Sequence, residues 1–284
     1  MSCAVSDEVL RSWCVAEAPY GDLTTRALGL GMQAGTLVLA SRAPMTVCAT
    51  EEAVRVLELA GAQGHVLVPS GQHVREGVAL LSASGPMEAL LQARGVAQAV
   101  CEFASGVASE AARIVTELRA AGHLQPLACR CDAVPGQRAL VVKAVRAGGA
   151  TVHRLGLSDS LLLQAEHRVF IEGRLDEALW RMRRHEPERK LVAEVGSLED
   201  ALTLAQAGAE VLHLMRFTPE SVRQTRVALH HSRLHPLLAV DGGVHAGNAV
   251  AYAQAGADVL VSAAPVQAPP RELEVRVTLD VSAQ

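Results

Sequence analysis

Two residues able to hold an anion stand side by side at His153-Arg154. They close a short β-branched run that follows the glycine pair Gly148-Gly149. A turn through Gly156, Ser158 and Asp159 then leads into a second apolar run ending near His167. An imidazole and a guanidinium at one strand end offer adjacent donors to a phosphate or a carboxylate, although such pairs are also common on solvated turns. A second feature adds weight. Gly242-Gly243 follows an apolar run and precedes a helical pattern, so its backbone N–H groups and the helix dipole suit a phosphate. Alone, that pair is equally an ordinary tight turn.

These residues are positioned by a repeated rhythm of strand, loop and helix that begins near residue 124. Residues 124–131 read as a strand, Pro135-Gly136 as a turn and 138–146 as a helix ended by Gly148. Residues 190–195 form the next strand. Ser197 caps the helix after it, with Asp200 three residues on. A strand over 209–217 leads to Thr218-Pro219, a cap with proline in the first turn, and a strand over 236–241 leads to a helix over 248–255. An internal echo supports the period: Ala205-Gln206-Ala207-Gly208-Ala209-Glu210-Val211-Leu212 returns as Ala253-Gln254-Ala255-Gly256-Ala257-Asp258-Val259-Leu260. Repeated βα units imply a parallel sheet, and without a dinucleotide-type glycine motif they favour a closed barrel. On that arrangement Cys131-Asp132, His153-Arg154, Gln164, Glu194, Met215-Arg216, Asp241-Gly242-Gly243 and Ser262 share the C-terminal rim, where active sites are built.

The first hundred residues read differently. A helix over 7–14 breaks at Pro19-Tyr20-Gly21-Asp22, where Asp22 or a following threonine can cap the next turn. Strands over 35–50, a helix over 51–60 and short strands punctuated by Gly64, Gly71, Gly77 and Gly85 suggest a small antiparallel unit. A long helix follows Pro86 towards Ile114 and Leu118. It contains Ser105-Gly106, where glycine weakens the helix or permits close packing.

The totals exclude several functions. The 284 residues are 50% hydrophobic and 20% charged, which provides a sizeable core. With 2% aromatics and a net charge of -4, the chain lacks both the stacking platforms and the basic footprint of a nucleic-acid binder. Six cysteines form no disulfide framework for a chain this long, no signal peptide is apparent, and no apolar run is long enough for a bilayer. These features point to a cytoplasmic protein with reduced thiols. Cys129-Arg130-Cys131 reads as two buried strand thiols on one face rather than a metal site. His185 and His230-His231 read as solvated helix ends, and 181–190 as an exposed helix face.

The stretch 148–167, with Pro135-Gly136 before it and Asp241-Gly242-Gly243 after it, resembles the quinolinate phosphoribosyltransferase family. Pro19-Tyr20-Gly21-Asp22-Leu23-Thr24-Thr25, Ala104-Ser105-Gly106 and His153-Arg154-Leu155-Gly156-Leu157-Ser158 resemble its ModD-like branch, which is associated with molybdate-transport operons and pyrophosphorylase activity. The resemblance covers nearly the whole chain. It implies an α/β protein with an N-terminal α/β sandwich domain over 1–105 and an incomplete α/β barrel over 106–269. The tail, 270–284, would return to the first domain. It implies transfer of a phosphoribosyl group from phosphoribosyl pyrophosphate to a small acidic acceptor, with Mg2+ on the leaving pyrophosphate. It also implies a homodimer in which Arg94 crosses the interface towards the partner's barrel rim.

Carried over by position, the resemblance makes His153 and Arg154 the acid-binding pair and Glu194 a sugar- or metal-side carboxylate. Gly242 and Gly243 become the phosphate turn, with Arg130, Gln164, Ser262 and Ala264 completing the substrate site. The departures matter as much. The family's Arg-Lys-Thr is Cys131-Asp132-Ala133, and Arg130 stands one place off, which on a strand implies the other face. A lysine is replaced by Gln164, a second acid by Met215 and a glycine by Ala264. Two alternatives therefore stand beside transfer to a small acid: a fold-retaining anion-binding or accessory protein, and a nicotinate-nucleotide diphosphorylase (carboxylating) of NAD biosynthesis.

Overall fold

The structure, a computed structural model, describes residues 2–131 and 135–280. Asp132 and Ala133 lie outside the described residues. Two compact units divide the described residues: 2–112, 135–149 and 267–280 make up one, and 113–131 and 150–266 the other. The stretch 135–149, which the domain boundaries expected from sequence assign to the barrel, clusters with the first unit.

The first unit is built on a four-stranded antiparallel sheet in the order Leu273–Leu279, Ala34–Ser41, Ala79–Pro86, Gln63–Val66. Alternation along Ala34–Ser41 sends Leu37 and Leu39 into the core, where neither retains any exposure. The helix Met87–Ala120 runs unbroken through Ser105-Gly106. Glycine is required there by packing: a Cβ on Gly106 would lie 2.4 Å from the carbonyl oxygen of Pro269. Asp22 caps the helix Leu23–Ala27, accepting from the Thr24 and Thr25 N–H groups at 2.9 and 3.3 Å.

One buried ionic cluster crosses this unit. Lys143, on the helix Arg138–Ala147, reaches Glu51 Oε2 at 2.9 Å and Glu52 Oε2 at 2.6 Å, both on the helix Thr50–Leu59. The Ser70 N–H and hydroxyl also donate to Glu51, and the Ala4 N–H donates to Glu52. The side chains of Lys143 and Glu52 are 4% and 0% exposed.

The second unit holds seven parallel strands: β1 (Leu127–Cys129), β2 (Thr151–Val152), β3 (Leu161–Leu163), β4 (Leu191–Val195), β5 (Val211–Met215), β6 (Leu237–Asp241) and β7 (Val259–Ser262). Their order is β2-β1-β7-β6-β5-β4-β3. Chain neighbours are thus sheet neighbours around the whole set except between β2 and β3, where it stays open. The closed barrel favoured by the βα count is replaced by the incomplete one that the resemblance implies. Its edge strands have two and three residues, and no helix lies between them to carry the crossover.

Both copies of the echo end a helix, pass through a left-handed glycine and enter a strand, Gly208 at φ +103° and Gly256 at φ +101°. The Ser197 hydroxyl caps the Asp200 N–H at 3.1 Å, and Thr218 caps the Ser221 N–H at 3.2 Å. The helix Leu175–His185 stops before Glu186, so the charged run over 181–190 is helical only in its first half. Among the described residues, no helix is long and apolar enough to cross a membrane.

Candidate functional site

In-register parallel pairing decides which side chains share a face of the second sheet. Ala128, Ala239 and Val261 form a buried floor of small side chains, with Val211 and Val259 packed against it. Two residues further along, that face turns polar. His213 on β5 lies opposite Ala239 on β6 and Glu194 on β4, and Met215 lies opposite Asp241. His153 follows β2, its N–H donating to the Cys129 carbonyl at 2.9 Å. Arg130, His153, Arg154, Gln164, Glu194, Gly242, Gly243, Ser262 and Ala264 all stand at or just beyond C-terminal strand ends of this unit. Arg94 lies in the first unit, exposed on the helix Met87–Ala120.

Arg130 corrects an expectation. Its strand parity is that of Ala128, and its Nη1 stands 3.7 Å from Asp241 Oδ2. The one-residue slip therefore brings Arg130, and not Cys131, to the polar face. Cys131 is 3% exposed and turns its thiol back towards the Cys129 carbonyl at 3.7 Å. Burial pushes the Cys129 thiol up to about 12, the state of an inert core cysteine.

The centre of the polar layer is a contact that the sequence reading passes over. His213 is 3% exposed and Asp241 4%. His213 Nε2 lies 3.3 Å from Asp241 Oδ2, within ion-pair reach but off hydrogen-bond alignment, so neither ring nitrogen has a hydrogen-bond partner among the described residues. The His213 ring stands 4.9 Å from that of His153. Burial raises the Asp241 carboxyl, but His213, the Gly242 N–H at 2.6 Å and Arg130 outweigh it and hold the group below its ordinary value. The sequence signal for His213 is its place two residues before Met215, on the same face of one strand.

His153 is not the cation it resembles in the sequence. Burial, then the neighbouring His213, Arg154 and Arg130, lower its pKa to about 4 against the pull of Asp241. At neutral pH it offers one donor and one acceptor. The unfolded chain binds this proton more readily than the folded one. Stability is therefore expected to be unaffected by this group above about 6.5 and to fall as the pH drops from there towards 4. A histidine NMR titration checks this: a His153 midpoint at or above 6 contradicts it.

The glycine turn is built for close approach. Gly242 sits at φ +96°, and a Cβ there would lie 2.9 Å from the Arg216 backbone nitrogen, whose N–H donates to the Asp241 carbonyl at 2.8 Å. Much of the turn's hydrogen bonding is internal. Asn248 Nδ2 donates to the Gly243 carbonyl at 2.8 Å, and the Ser262 hydroxyl donates to the Val244 carbonyl and accepts from the Ala264 N–H at 3.1 Å. Ser262 and Ala264 thus brace the turn. Gln164 likewise opens the helix Ala165–Arg168, its N–H donating to His167 Nδ1 at 3.1 Å. A cleft of about 230 Å³ opens beside Gly196, Ser197, Met215, Arg216, Thr218 and Ser221. No three His, Cys, Asp or Glu side chains among the described residues converge as a metal centre.

Residues 107–276 match the family model for the C-terminal domain of quinolinate phosphoribosyl transferase, and residues 22–105 match that for its N-terminal domain. The chain belongs to the quinolinate phosphoribosyltransferase family. Within it, the chain is 46% identical to "Putative pyrophosphorylase ModD" of Rhodobacter capsulatus, over 89% of this chain and 97% of that one. It is 34% identical to the nicotinate-nucleotide pyrophosphorylase (carboxylating) of Mycobacterium leprae, over 85% and 86%. Its fold matches the solved nicotinate-nucleotide pyrophosphorylase of Francisella tularensis with a TM-score of 0.86 at 22% identity, covering 95% of each chain. This is therefore a ModD-like member of a family of pentosyltransferases.

Proposed function

We propose that the protein transfers a phosphoribosyl group from phosphoribosyl pyrophosphate to a small acidic acceptor and releases pyrophosphate. The observation that carries this reading is the gathering of Arg130, His153, Arg154, Glu194 and the Gly242-Gly243 turn on one strand edge. Arg154 and Arg130 supply charge-assisted donors to acid and phosphate oxygens, and neutral His153 adds a directed hydrogen bond. Glu194 is assigned to offset the positive charge that develops on the sugar carbon as the leaving group departs. A chain with no disulfide framework suits a cytoplasmic reaction, and the ModD-like resemblance motivates a link to molybdate metabolism.

The donor set fits Mg2+ only in part. Met215 offers no oxygen, Asp241 accepts from the Gly242 N–H on Oδ1 and has the Arg130 cation beside Oδ2, and Glu194 remains as the carboxylate to hold the ion. Mg2+ commonly binds through one or two carboxylates, waters and substrate phosphates, and with pyrophosphate it would neutralise leaving-group charge. Arg94, exposed on its helix, is assigned to the interface of an isologous homodimer, where it reaches the partner's site. Light scattering showing a monomer overturns that assignment.

Calorimetric titration with phosphoribosyl pyrophosphate, with and without Mg2+, tests the transfer reading. Binding is expected to tighten with Mg2+ and to weaken tenfold or more in Arg154→Ala, since one charge-assisted contact is worth about 1.5–3 kcal/mol. Absence of binding under either condition overturns it. Met215, which offers no oxygen opposite Asp241, favours a second reading, an anion-binding protein without turnover. Binding of phosphoribosyl pyrophosphate with no pyrophosphate release, across a panel of acids, would select it.

A further inference from the structure

The polar layer holds one group that the proposed reaction does not use. His213 is almost fully buried, its ring nitrogens have no hydrogen-bond partner among the described residues, and it lies against Asp241 and His153 on the face that carries Glu194 and Met215. A buried imidazole without partners is a standing cost in the folded state, removed when a ligand supplies the missing hydrogen bonds. Its neighbour narrows what that ligand presents. Asp241 uses Oδ1 to accept from Gly242, while Oδ2 faces His213 Nε2 at 3.3 Å with Arg130 beyond at 3.7 Å. An ionised carboxylate accepts hydrogen bonds and repels a second carboxylate. The imidazole can donate or accept. Together they complement an edge carrying one N–H donor beside one oxygen or nitrogen acceptor.

We infer that His213 and Asp241 form a specificity floor for an uncharged, amide-like edge of the acceptor. The acceptor is then a small molecule with a single acid group and a neutral donor–acceptor group beside it, rather than a dicarboxylate. This inference rests on the acceptor binding at the strand-end site proposed above. The acid group meets Arg130 or Arg154, and the amide edge lies inward of it. His153 fits the same picture, because a neutral imidazole adds a directed contact without attracting a second anion.

The test compares quinolinate with its two monoamides, 2-carbamoylpyridine-3-carboxylate and 3-carbamoylpyridine-2-carboxylate, which match it in shape and differ by one charge. Each is titrated alone into the full-length protein, and phosphoribosyl pyrophosphate with Mg2+ is titrated separately. At least one monoamide is expected to bind tenfold or more tighter than quinolinate. Asp241→Asn is expected to erase or reverse that ranking, His213→Leu to erase it, and His213→Gln, which keeps a donor and an acceptor, to retain it. The folded state of each variant is checked by circular dichroism. A tighter quinolinate complex in the wild type overturns the inference. So does a ranking indifferent to Asp241→Asn, or failure of both monoamides to bind at millimolar concentration. If the monoamides rank as expected while phosphoribosyl pyrophosphate does not bind, the inference stands and the transfer reading falls.

Discussion

Alanine in place of Lys143 is expected to remove about 3–5 kcal/mol of folding stability, the usual cost of leaving a buried charge without its partner. The ammonium contacts two carboxylates at 2.9 and 2.6 Å, and Glu52 has no exposed side-chain surface. Without it, two buried acids face each other across the vacated volume. The pH dependence should weaken with the substitution. In the native protein, burial raises the Glu51 carboxyl, but Ser70 and Lys143 outweigh it and hold the pKa at about 2. That contribution is present above the unfolded value of 4.5 and is lost as the pH falls towards 2. In the alanine variant Glu51 keeps its Ser70 hydrogen bonds but loses the ammonium, so its carboxyl is held down less and this contribution shrinks. The deficit of the variant should therefore be full above about 4.5 and should narrow as the pH falls from there towards 2. Urea denaturation at about pH 3 and at pH 7.5 measures both effects. A midpoint unchanged from the native protein at pH 7.5 refutes the expectation. Lys143→Met combined with Glu52→Gln removes one charge of each sign and should lose less than the single alanine variant.

The second large effect concerns quinolinate itself. Turnover of quinolinate to nicotinate mononucleotide is expected to lie about two to four powers of ten below that of a fully equipped family member. Gln164 stands where a lysine is expected and Met215 where an acid is, and each buried charge-assisted contact is worth about 1.5–3 kcal/mol. The structure changes the choice of rescue. An arginine at Cys131 would enter a buried site with its thiol turned away, whereas Arg130 already reaches the Asp241 side. Gln164 follows β3, and Met215 lies opposite Asp241 on the polar face, so Gln164→Lys with Met215→Asp restores one donor and one oxygen ligand where they can act. A wild-type rate at ordinary family levels contradicts the expectation, and so does a double variant no faster than the wild type.

Much of the second unit was legible because βα repeats write themselves as apolar runs closed by glycine, and the echo around Gly208 and Gly256 marks two of them. The same chemistry hid the centre of the site. Strands covered on both faces carry no alternation of apolar and polar residues, so Val211–Met215 and Leu237–Asp241 do not reveal which side chains face inward. Only register places His213 beside Asp241 and brings Arg130 to their side. The gap in the barrel was hidden for another reason. Strands of two and three residues, such as Thr151–Val152 and Leu161–Leu163, are shorter than any period they could display.

The pairing of Ala34–Ser41 with Leu273–Leu279 has a consequence for how the chain is made. During synthesis the early strand can pair with Ala79–Pro86 soon after both have emerged, but its other side waits for nearly the whole remaining message to be translated. Throughout that interval a nascent chain displays an unpaired, largely apolar edge, the kind of template that recruits other strands. Premature termination or C-terminal proteolysis short of Leu273 would make that exposure permanent. Products cut there should collect in the insoluble fraction, even with every residue of the βα unit intact.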